Sequence, residues 1–189
     1  MSDLPRPRKS DVARDRILAA ARRIFSEEGY EGTTIRAIAA TASINPAMVM
    51  RYYGSKEGLF AAVANLDFRV APLAGVPVAE LGEALVRHVM ALWENPRDGV
   101  VLAAMMRASI SNESARERIV AQFSEQIAGL FSAIGPTAAP AAPFIATQIL
   151  GLAMARYIWR IPAIVALPKD LVVTRIGKTV QRYLTDISA

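Results

Sequence analysis

Apolar residues recur every three to four positions along almost all of this 189-residue chain, and no segment alternates with the period of two that marks a strand. One stripe of this kind, on the first predicted helix, consists of Ile17, Leu18, Ala21, Ile24 and Phe25. Ser10 is a candidate N-cap for this helix, and Gly29 supplies a stop after about Glu28. The pattern predicts an all-α fold of about nine helices.

Two short helices separated by three residues follow the first one. Thr34 is placed to cap the first of them, which ends near Ala42. Asn45 is placed to cap the second, with Pro46 at its first position, where a missing N–H costs nothing. Ser55 would cap a fourth helix. Two short helices joined by three or four residues are the signature of a helix-turn-helix.

A helix-turn-helix needs a shared apolar core and a close approach of its two helices. Ile38 and Val49 are predicted to form that core, with Ala39 as the small residue at the contact and Ile44 filling the turn. The second helix can then lie in the major groove of DNA, with its N-terminal residues against the base edges.

The stretch from Arg16 to Val63 resembles the TetR family of bacterial one-component repressors. The resemblance lies in the ILAAA…IF first helix, the GYEGTT link, the IAATASI turn and the SKEGL start of the fourth helix. It implies an N-terminal three-helix helix-turn-helix domain and a larger C-terminal helical domain for ligand binding and dimerisation. We assign residues 1–9 to a disordered basic arm, 10–56 to the DNA-binding domain, and 57–189 to the regulatory and dimerisation domain.

The resemblance also implies which residues contact double-stranded DNA. Thr34, Tyr52 and Lys56 would bind phosphates, and Arg36 would reach a base or a phosphate, the plainer alternative being a solvated helix residue. The base-facing end of the recognition helix would consist of Asn45, Pro46, Ala47 and Met48. Adjacent tyrosines cannot share one helix face, so we assign Tyr53 to the core and leave Tyr52 facing the groove.

Two positions depart from the family pattern. Ser43 stands where the turn usually has glycine, so a residue with a Cβ atom would have to bear an unfavourable backbone conformation. Met50 stands where a tyrosine is usual, which removes a hydroxyl that commonly binds phosphate. With NPAMVM facing the groove, sparse readout by hydrogen bonds is expected, and methyl contacts, Asn45, Arg36 and DNA shape would share the recognition of sequence.

In the rest of the chain, the apolar pattern predicts longer helices near residues 78–94, 98–111, 113–133, 143–161 and 169–187. The resemblance implies that the last two pair with a second copy as a homodimer, and that the domain holds a cavity for a small apolar effector. Polar contacts to that effector are expected from His88 and Arg107. Its apolar lining, which could equally be plain core, would come from Met90, Trp93, Met105, Met106, Phe123, Phe131, Tyr157 and Trp159.

Composition excludes several kinds of site. The chain has no cysteine and a single histidine, so disulfides, zinc–thiolate sites and multi-histidine metal sites are ruled out. We expect no catalytic residue, no cofactor and no metal.

The start of the chain is polar and Pro-rich, which is unlike a secretory signal and favours a cytoplasmic protein. A net charge of +5 and a pI of about 9.9 suit an anionic partner.

One stretch is apolar enough to raise the question of a membrane. No charged residue occurs between Glu125 and Arg156, a run long enough to span a bilayer. The run is broken in its middle by Gly135, Pro136, Pro140 and Pro143. We therefore interpret it as two soluble helices with a Pro-rich connection, and expect no membrane partner.

The function expected from these features is that of a ligand-responsive DNA-binding transcriptional regulator, a repressor that binds a pseudo-palindromic operator as a dimer. One alternative is a helical enzyme, which would need a nucleophile–base pair or a metal cluster. Another is a structural or partner-binding bundle without DNA function. Such a bundle would not explain a capped helix-turn-helix with Arg36 and Lys56 at its rim.

Overall fold

The computed structural model describes residues 9–63 and 68–185, apart from the side chains of residues 9, 136 and 137. These residues form helices and no strand, which confirms the predicted all-α fold. The α-helices are α1 Lys9–Gly32, α2 Ile35–Ala42, α3 Pro46–Tyr53, α4 Lys56–Val63, α5 Leu81–Glu94, α6 Asp98–Ser111, α7 Glu113–Ile134, α8 Ala142–Ala153, α9 Pro162–Val165 and α10 Lys169–Thr185. Turns of 3-10 helix occupy Ala71–Gly75, Val78–Glu80 and Pro136–Ala141, and a π-helix occupies Met154–Ile158.

The chain divides into two compact units. The first consists of Met1–Leu66 and Val100–Arg118, and the second of Asp67–Gly99 and Ile119–Ala189. The predicted boundary between residues 56 and 57 falls at the start of α4, inside the first unit.

Helix α1 differs from the prediction at its start and agrees with it at its end. Lys9, which we assigned to the arm, is already helical, and Ser10 lies inside the helix. The prediction of Ser10 as N-cap is therefore wrong. Gly29 has φ 72° and ψ 176°, a non-helical conformation that separates the long first part of α1 from a short second part ending at Gly32. The long part therefore stops where predicted. The other residues of the predicted arm, 1–8, lie outside the described ranges.

The core of the first unit forms where α1 packs against α2 and α4. The predicted stripe of α1 is largely inside, since Ile17, Ala21 and Phe25 are fully buried. The rings of Phe25, Tyr30 and Phe60 pack together with centroid distances of 4.9–6.0 Å. Burying a side chain of this size contributes about 1.5–3 kcal/mol, so this cluster is a main source of the unit's stability.

The second unit is organised around the crossing of α5 and α10. At this crossing a Cβ atom added to Gly82 would lie 2.4 Å from the carbonyl oxygen of Gly177, so the two helix backbones touch. Helix α8 packs against both α5 and α10. The buried side chains that these helices bring together include Leu85, Val86, Met90, Ile145, Ile149, Leu152, Val173, Val180 and Leu184.

The predicted break between α7 and α8 is confirmed, but the predicted helix 143–161 is not continuous. The α-helical bonding pattern ends at Ala153 and gives way to the π-helix. Arg160 then adopts φ 51°, and Pro162 begins the short helix α9. Among the described residues, one helical run, Ala138–Ile158, is long and apolar enough to cross a membrane by length and composition alone. Core helices of soluble proteins meet the same criterion, and Ile145, Ile149 and Leu152 of this run belong to the core described above.

Candidate nucleic-acid interface

Helix α2 is fixed at its start by Thr34. The Thr34 backbone is extended, and its Oγ1 accepts a hydrogen bond from the N–H of Ala37 at 3.1 Å, as predicted for an N-cap. Because the hydroxyl accepts here, its own O–H remains a donor for another group. On the inner face of α2, Ile38 and Ala39 are fully buried, as predicted for the core of a helix-turn-helix.

The turn after α2 runs through Ser43 in the left-handed conformation, with φ 52° and ψ 48°. The N–H of Ser43 donates to the carbonyl of Ala40 at 3.0 Å, and the N–H of Ile44 donates to the carbonyl of Ala39 at 2.9 Å. These bonds close the helix end in the way that usually requires glycine. The predicted unfavourable backbone at Ser43 is therefore confirmed.

Helix α3 presents its N-terminal end to solvent and its middle to the core. Asn45 caps it through Oδ1, which accepts from the N–H of Ala47 at 2.8 Å, and Pro46 is its first residue, both as predicted. Val49 is fully buried. Asn45, Pro46 and Ala47 are exposed and Met48 is half-buried. The predicted base-facing residues thus lie at the open end of a helix whose opposite face is anchored.

The junction between α3 and α4 is tight. Gly54 has φ 75° and ψ −47°, and the N–H of Ser55 donates across it to the carbonyl of Tyr53 at 2.8 Å. This is close to the rare γ-turn with positive φ, which glycine accommodates best. The Oγ of Ser55 accepts from the N–H of Gly58 at 3.0 Å, which confirms Ser55 as the cap of α4.

Lys56 lies at the start of α4 beside the end of α1. Its Nζ donates to the carbonyl oxygen of Glu31 at 3.3 Å and lies 4.4 Å from the centroid of the Tyr30 ring. An ammonium group has three N–H donors, so two remain for an anion. The Tyr30 hydroxyl donates to Oε1 of Glu57 at 2.8 Å.

Two ionisable groups at this junction have shifted pKa values. Burial, and then the hydrogen bond to Glu57, raise the pKa of Tyr30 above its ordinary value. The pKa of Glu57 is lowered by a hydrogen bond from its own backbone, then by the Ser55 hydroxyl and by Tyr30.

The two adjacent tyrosines of α3 do not divide into one buried and one exposed ring. Both are half-buried, so the assignment of Tyr53 to the core is wrong. The Tyr53 hydroxyl donates to the backbone carbonyl of Arg14 at 3.4 Å, which explains why this ring is not fully buried. The guanidinium groups of Arg14 and Arg51 lie over the ring of Tyr52. Neither arginine was predicted as a site residue; the available signal was only that Arg14 lies off the apolar stripe of α1.

The structure brings the predicted DNA contacts other than Tyr52, which lies near the C-terminal end of α3, to the N-terminal ends of three helices in one unit. Thr34 and Arg36 are exposed at the start of α2, the residues from Asn45 to Met48 begin α3, and Lys56 begins α4. Helix N-termini carry unpaired N–H groups and favour anions, so this arrangement suits a phosphate backbone.

The predicted effector contacts do not belong to one compact unit. Met105, Met106 and Arg107 lie on α6 within the first unit, where Met105 is buried and Arg107 is exposed. The others, in the second unit, are His88, Trp93, Phe123 and Tyr157. Of the further apolar candidates, Met90 and Phe131 are core residues and Trp159 is 66% exposed.

In the second unit these side chains have partners within the protein. His88 Nε2 lies 2.6 Å from the carbonyl oxygen of Phe68, whose ring meets that of Phe123 at 6.0 Å. The rings of Trp93 and Tyr157 stack at 5.2 Å, and the Tyr157 hydroxyl donates to Glu94. Burial, and then the charge of Glu94, raise the pKa of Tyr157.

An open groove of about 540 Å³ lies elsewhere in the second unit, along α8, α9 and α10. Its lining includes Gly151, Leu152, Leu167, Leu171 and Ile176, with Arg175 as the charged member. None of the predicted effector contacts lines it.

Two short capped helices with a three-residue turn, packed on a longer helix, define a helix-turn-helix regulatory protein. Comparison with known proteins agrees. Residues 17–63 match the profile of bacterial regulatory proteins of the tetR family, and residues 79–184 match that of the tetracyclin repressor-like C-terminal domain. The chain belongs to the TetR family, as its sequence resemblance implied.

Individual relatives support the same membership. The transcriptional repressor NicS of Pseudomonas putida is 45% identical over 94 residues, which cover 47% of this chain and 44% of NicS. The chain therefore spans less than half of the length of that relative. An uncharacterised HTH-type regulator of Mycobacterium tuberculosis is 30% identical over 146 residues, covering 74% of this chain and 67% of the regulator. A TetR-family regulator from Streptomyces coelicolor superposes with a TM-score of 0.66 at 26% identity, covering 97% of this chain and all of that one.

Proposed function

We propose that this protein is a transcriptional repressor that binds duplex DNA by placing α3 in the major groove. One observation carries the proposal: α3 is anchored by the fully buried Val49 while Asn45, Pro46 and Ala47 stand exposed at its N-terminal end. This is the orientation in which a recognition helix meets base edges. The name of NicS as a transcriptional repressor supports repression as the outcome.

In this proposal, phosphates are bound at the N-termini of α2 and α4 and by Tyr52 near the end of α3. Thr34 offers its free O–H, Lys56 offers two N–H donors, and Tyr52 offers its phenol. Arg36, exposed on the first turn of α2, reaches either a phosphate or a base. Such contacts fix the position of the protein on the duplex and carry no sequence information by themselves.

Sequence readout falls to residues with few hydrogen-bonding groups. The Asn45 carbonyl oxygen is used in the cap, which leaves its NH₂ group as a donor for a base acceptor. Pro46, Ala47 and Met48 offer only apolar surface, which suits the methyl group of thymine. We therefore expect an operator with conserved thymines at the centre of each half-site.

The dimer in this proposal forms through the last long helices, within 143–161 and 169–187. The support is the exposed apolar surface there: Phe144, Leu150 and Leu171 are all more than 40% exposed, and Leu171 also lines the open groove. Monomeric proteins rarely leave such a surface uncovered. A twofold pairing would place two copies of α3 on successive major grooves, about 34–36 Å apart.

An apolar effector remains part of the proposal, with those predicted contacts that belong to the second unit: His88, Trp93, Phe123 and Tyr157. It would release DNA only if it binds the DNA-incompetent arrangement more tightly than the competent one. The fluorescence of Trp93 and Trp159 would report its binding.

The experiment that tests the function is selection of bound sites from random duplexes, with the full chain as the protein. The expected result is a pseudo-palindrome whose half-sites are about one helical turn apart and rich in A·T pairs. Recovery of no enriched sequence, together with no retardation of any duplex at low salt, would reject DNA binding.

A further inference from the structure

We propose that Arg14 of α1 and Arg51 of α3 form, with Tyr52, a clamp for a DNA backbone phosphate. The Cζ atoms of the two arginines lie 5.1 Å and 5.4 Å from the centroid of the Tyr52 ring. Both guanidinium groups thus stand over one half-buried ring, on a surface formed by two different helices. The inference rests on the proposed DNA-binding function and adds an interaction from α1, which the sequence had not suggested.

Both tyrosines at the end of α3 contact Arg14. The Tyr53 hydroxyl donates to the backbone carbonyl of Arg14 at 3.4 Å, while the Tyr52 ring lies under its side chain. The two rings meet edge to face, with centroids 6.4 Å apart. Because the backbone and the charge of Arg14 are both held against α3, the clamp is pre-organised, which reduces the entropic cost of binding an anion.

Within the described ranges, no carboxylate neutralises the charges of the clamp. In the described ranges no carboxylate oxygen lies within 4.0 Å of either guanidinium group, although Arg23, Arg69, Arg87 and Arg116 each have such a partner. Asp11, one turn before Arg14 on α1, accepts a hydrogen bond from Ser10 instead. A phosphate within reach of both arginines would supply the negative charge that the described carboxylates do not.

The chemistry of the clamp fits a phosphate diester. Guanidinium groups bind phosphate oxygens through paired N–H donors, and the Tyr52 phenol adds one more donor. A cation–π contact with the aromatic ring does not use the N–H donors of the guanidinium groups.

The location of the clamp on α3 fits the rim of a major groove. Tyr52 follows Asn45 by seven residues, which is two helical turns or about 10 Å along the axis. The major groove is about 12 Å wide, so side chains this far from the base-facing end reach the backbone that borders the groove. Arg14 extends that interaction onto α1.

The test compares the salt dependence of DNA affinity for the full-length wild type and for Arg14→Ala, Arg51→Ala and Arg16→Ala. Arg16 is a matched control, because it is exposed on the same helix about 200° around from Arg14. Because the two arginines share one phosphate, the double variant Arg14→Ala/Arg51→Ala should lower the slope of log K against log salt by about 0.9 per subunit, and so by about 1.8 for a dimer. Each single variant should lower it by part of that amount. Arg14→Ala and Arg51→Ala should weaken binding to the selected operator and to unrelated duplexes by the same factor. Arg16→Ala should behave like wild type.

The outcomes separate the clamp from the function on which it rests. If wild type binds DNA and Arg14→Ala keeps the full salt slope, the clamp is wrong and the proposed function stands. A change in sequence preference at an unchanged slope would mean that Arg14 contacts a base, which also overturns the phosphate assignment. If wild type retards no duplex, both proposals fail. Arg14→Lys, which keeps the charge, should restore most of the wild-type slope, and thermal melts establish that each variant is folded.

Discussion

A Cβ atom on Gly58 would lie 2.0 Å from the carbonyl oxygen of Tyr53. The backbone at the end of α3 therefore presses directly on the first turn of α4. Since Tyr53 also holds Arg14, the glycine of the SKEGL motif sets the position of the proposed recognition helix as well as the start of the next one.

Gly58→Ala should destabilise the protein and impair DNA binding. The added methyl group must push two helix ends apart, and overpacking of this kind costs about 1–3 kcal/mol. Gly129→Ala is the control, because a Cβ atom at Gly129 on α7 meets nothing within 4 Å. That variant should gain up to about 1 kcal/mol from helix propensity. Chemical denaturation measures both, and equal stability of the two variants would contradict the close approach at Gly58.

Ser43→Gly should stabilise the protein by about 0.5–1 kcal/mol. Glycine removes the cost of a left-handed residue with a Cβ atom, about 1–2 kcal/mol, and loses about 0.5–1 kcal/mol through the greater freedom of the unfolded chain. The control is the same substitution at Ser124, exposed inside α7, where it should destabilise. A loss of stability at Ser43 as large as that at Ser124 would show that the turn bears no strain.

Lys56→Ala should weaken binding to all duplexes and flatten the salt dependence, because it removes a phosphate interaction.

Arg36→Ala should cost about 1–3 kcal/mol of binding free energy on the selected operator and less on unrelated DNA if Arg36 contacts a base. Lys178→Ala, on the exposed surface of α10, is the charge-matched control. Titrations across salt concentrations separate the three, and identical slopes for wild type and Lys56→Ala would exclude the phosphate interaction.

Gly151→Leu should weaken the proposed dimer while leaving the subunit folded. A Cβ atom at Gly151 meets nothing within 4 Å in its own chain, yet the residue lines the groove on α8. A leucine there would clash with a second copy, and twofold symmetry repeats the clash. Sedimentation should show a monomer–dimer mixture, whereas Gly129→Leu should remain dimeric. A fully dimeric Gly151→Leu variant at nanomolar concentration would place the interface elsewhere.

Stability should decline above about pH 10. The pKa values of Tyr30, Tyr53 and Tyr157 are all raised, chiefly by burial. Unfolded tyrosines lose their protons near about pH 10, whereas the folded protein keeps them to higher pH. The unfolded state therefore binds fewer protons in this range, and the free energy of unfolding falls as pH rises. Denaturation curves for Tyr30→Phe should show a shallower decline than wild type, and parallel curves would refute the role of Tyr30.

Local signals in the sequence predicted the helix-turn-helix well. Thr34, Asn45 and Ser55 cap their helices as expected, because a cap depends on a side chain and an N–H two or three residues away. Ser10 failed because a good capping residue can also lie inside a helix. The π-helix after α8 and the short α9 were missed, since apolar spacing does not distinguish one helical hydrogen-bond pattern from another.

Contacts between distant residues were beyond the reach of such signals. His88 was considered as an effector contact from its chemistry, whereas its observed partner, the carbonyl of Phe68, lies 20 residues away and carries no side-chain signature. The stack of Arg14 on Tyr52 likewise joins residues from two helices. Spacing along one helix says which residues share a face, but not which face of another helix they will meet.

The close approach of Gly82 and Gly177 bears on how the proposed dimer would come apart. The backbone of α10 packs directly against α5 of its own subunit, so we expect the fold of α10 not to depend on a second chain. Dilution should then yield folded single subunits, which keep their helical circular dichroism while losing cooperative binding to two half-sites. For such a protein the cellular concentration, rather than its thermal stability, would set how much of the operator is occupied.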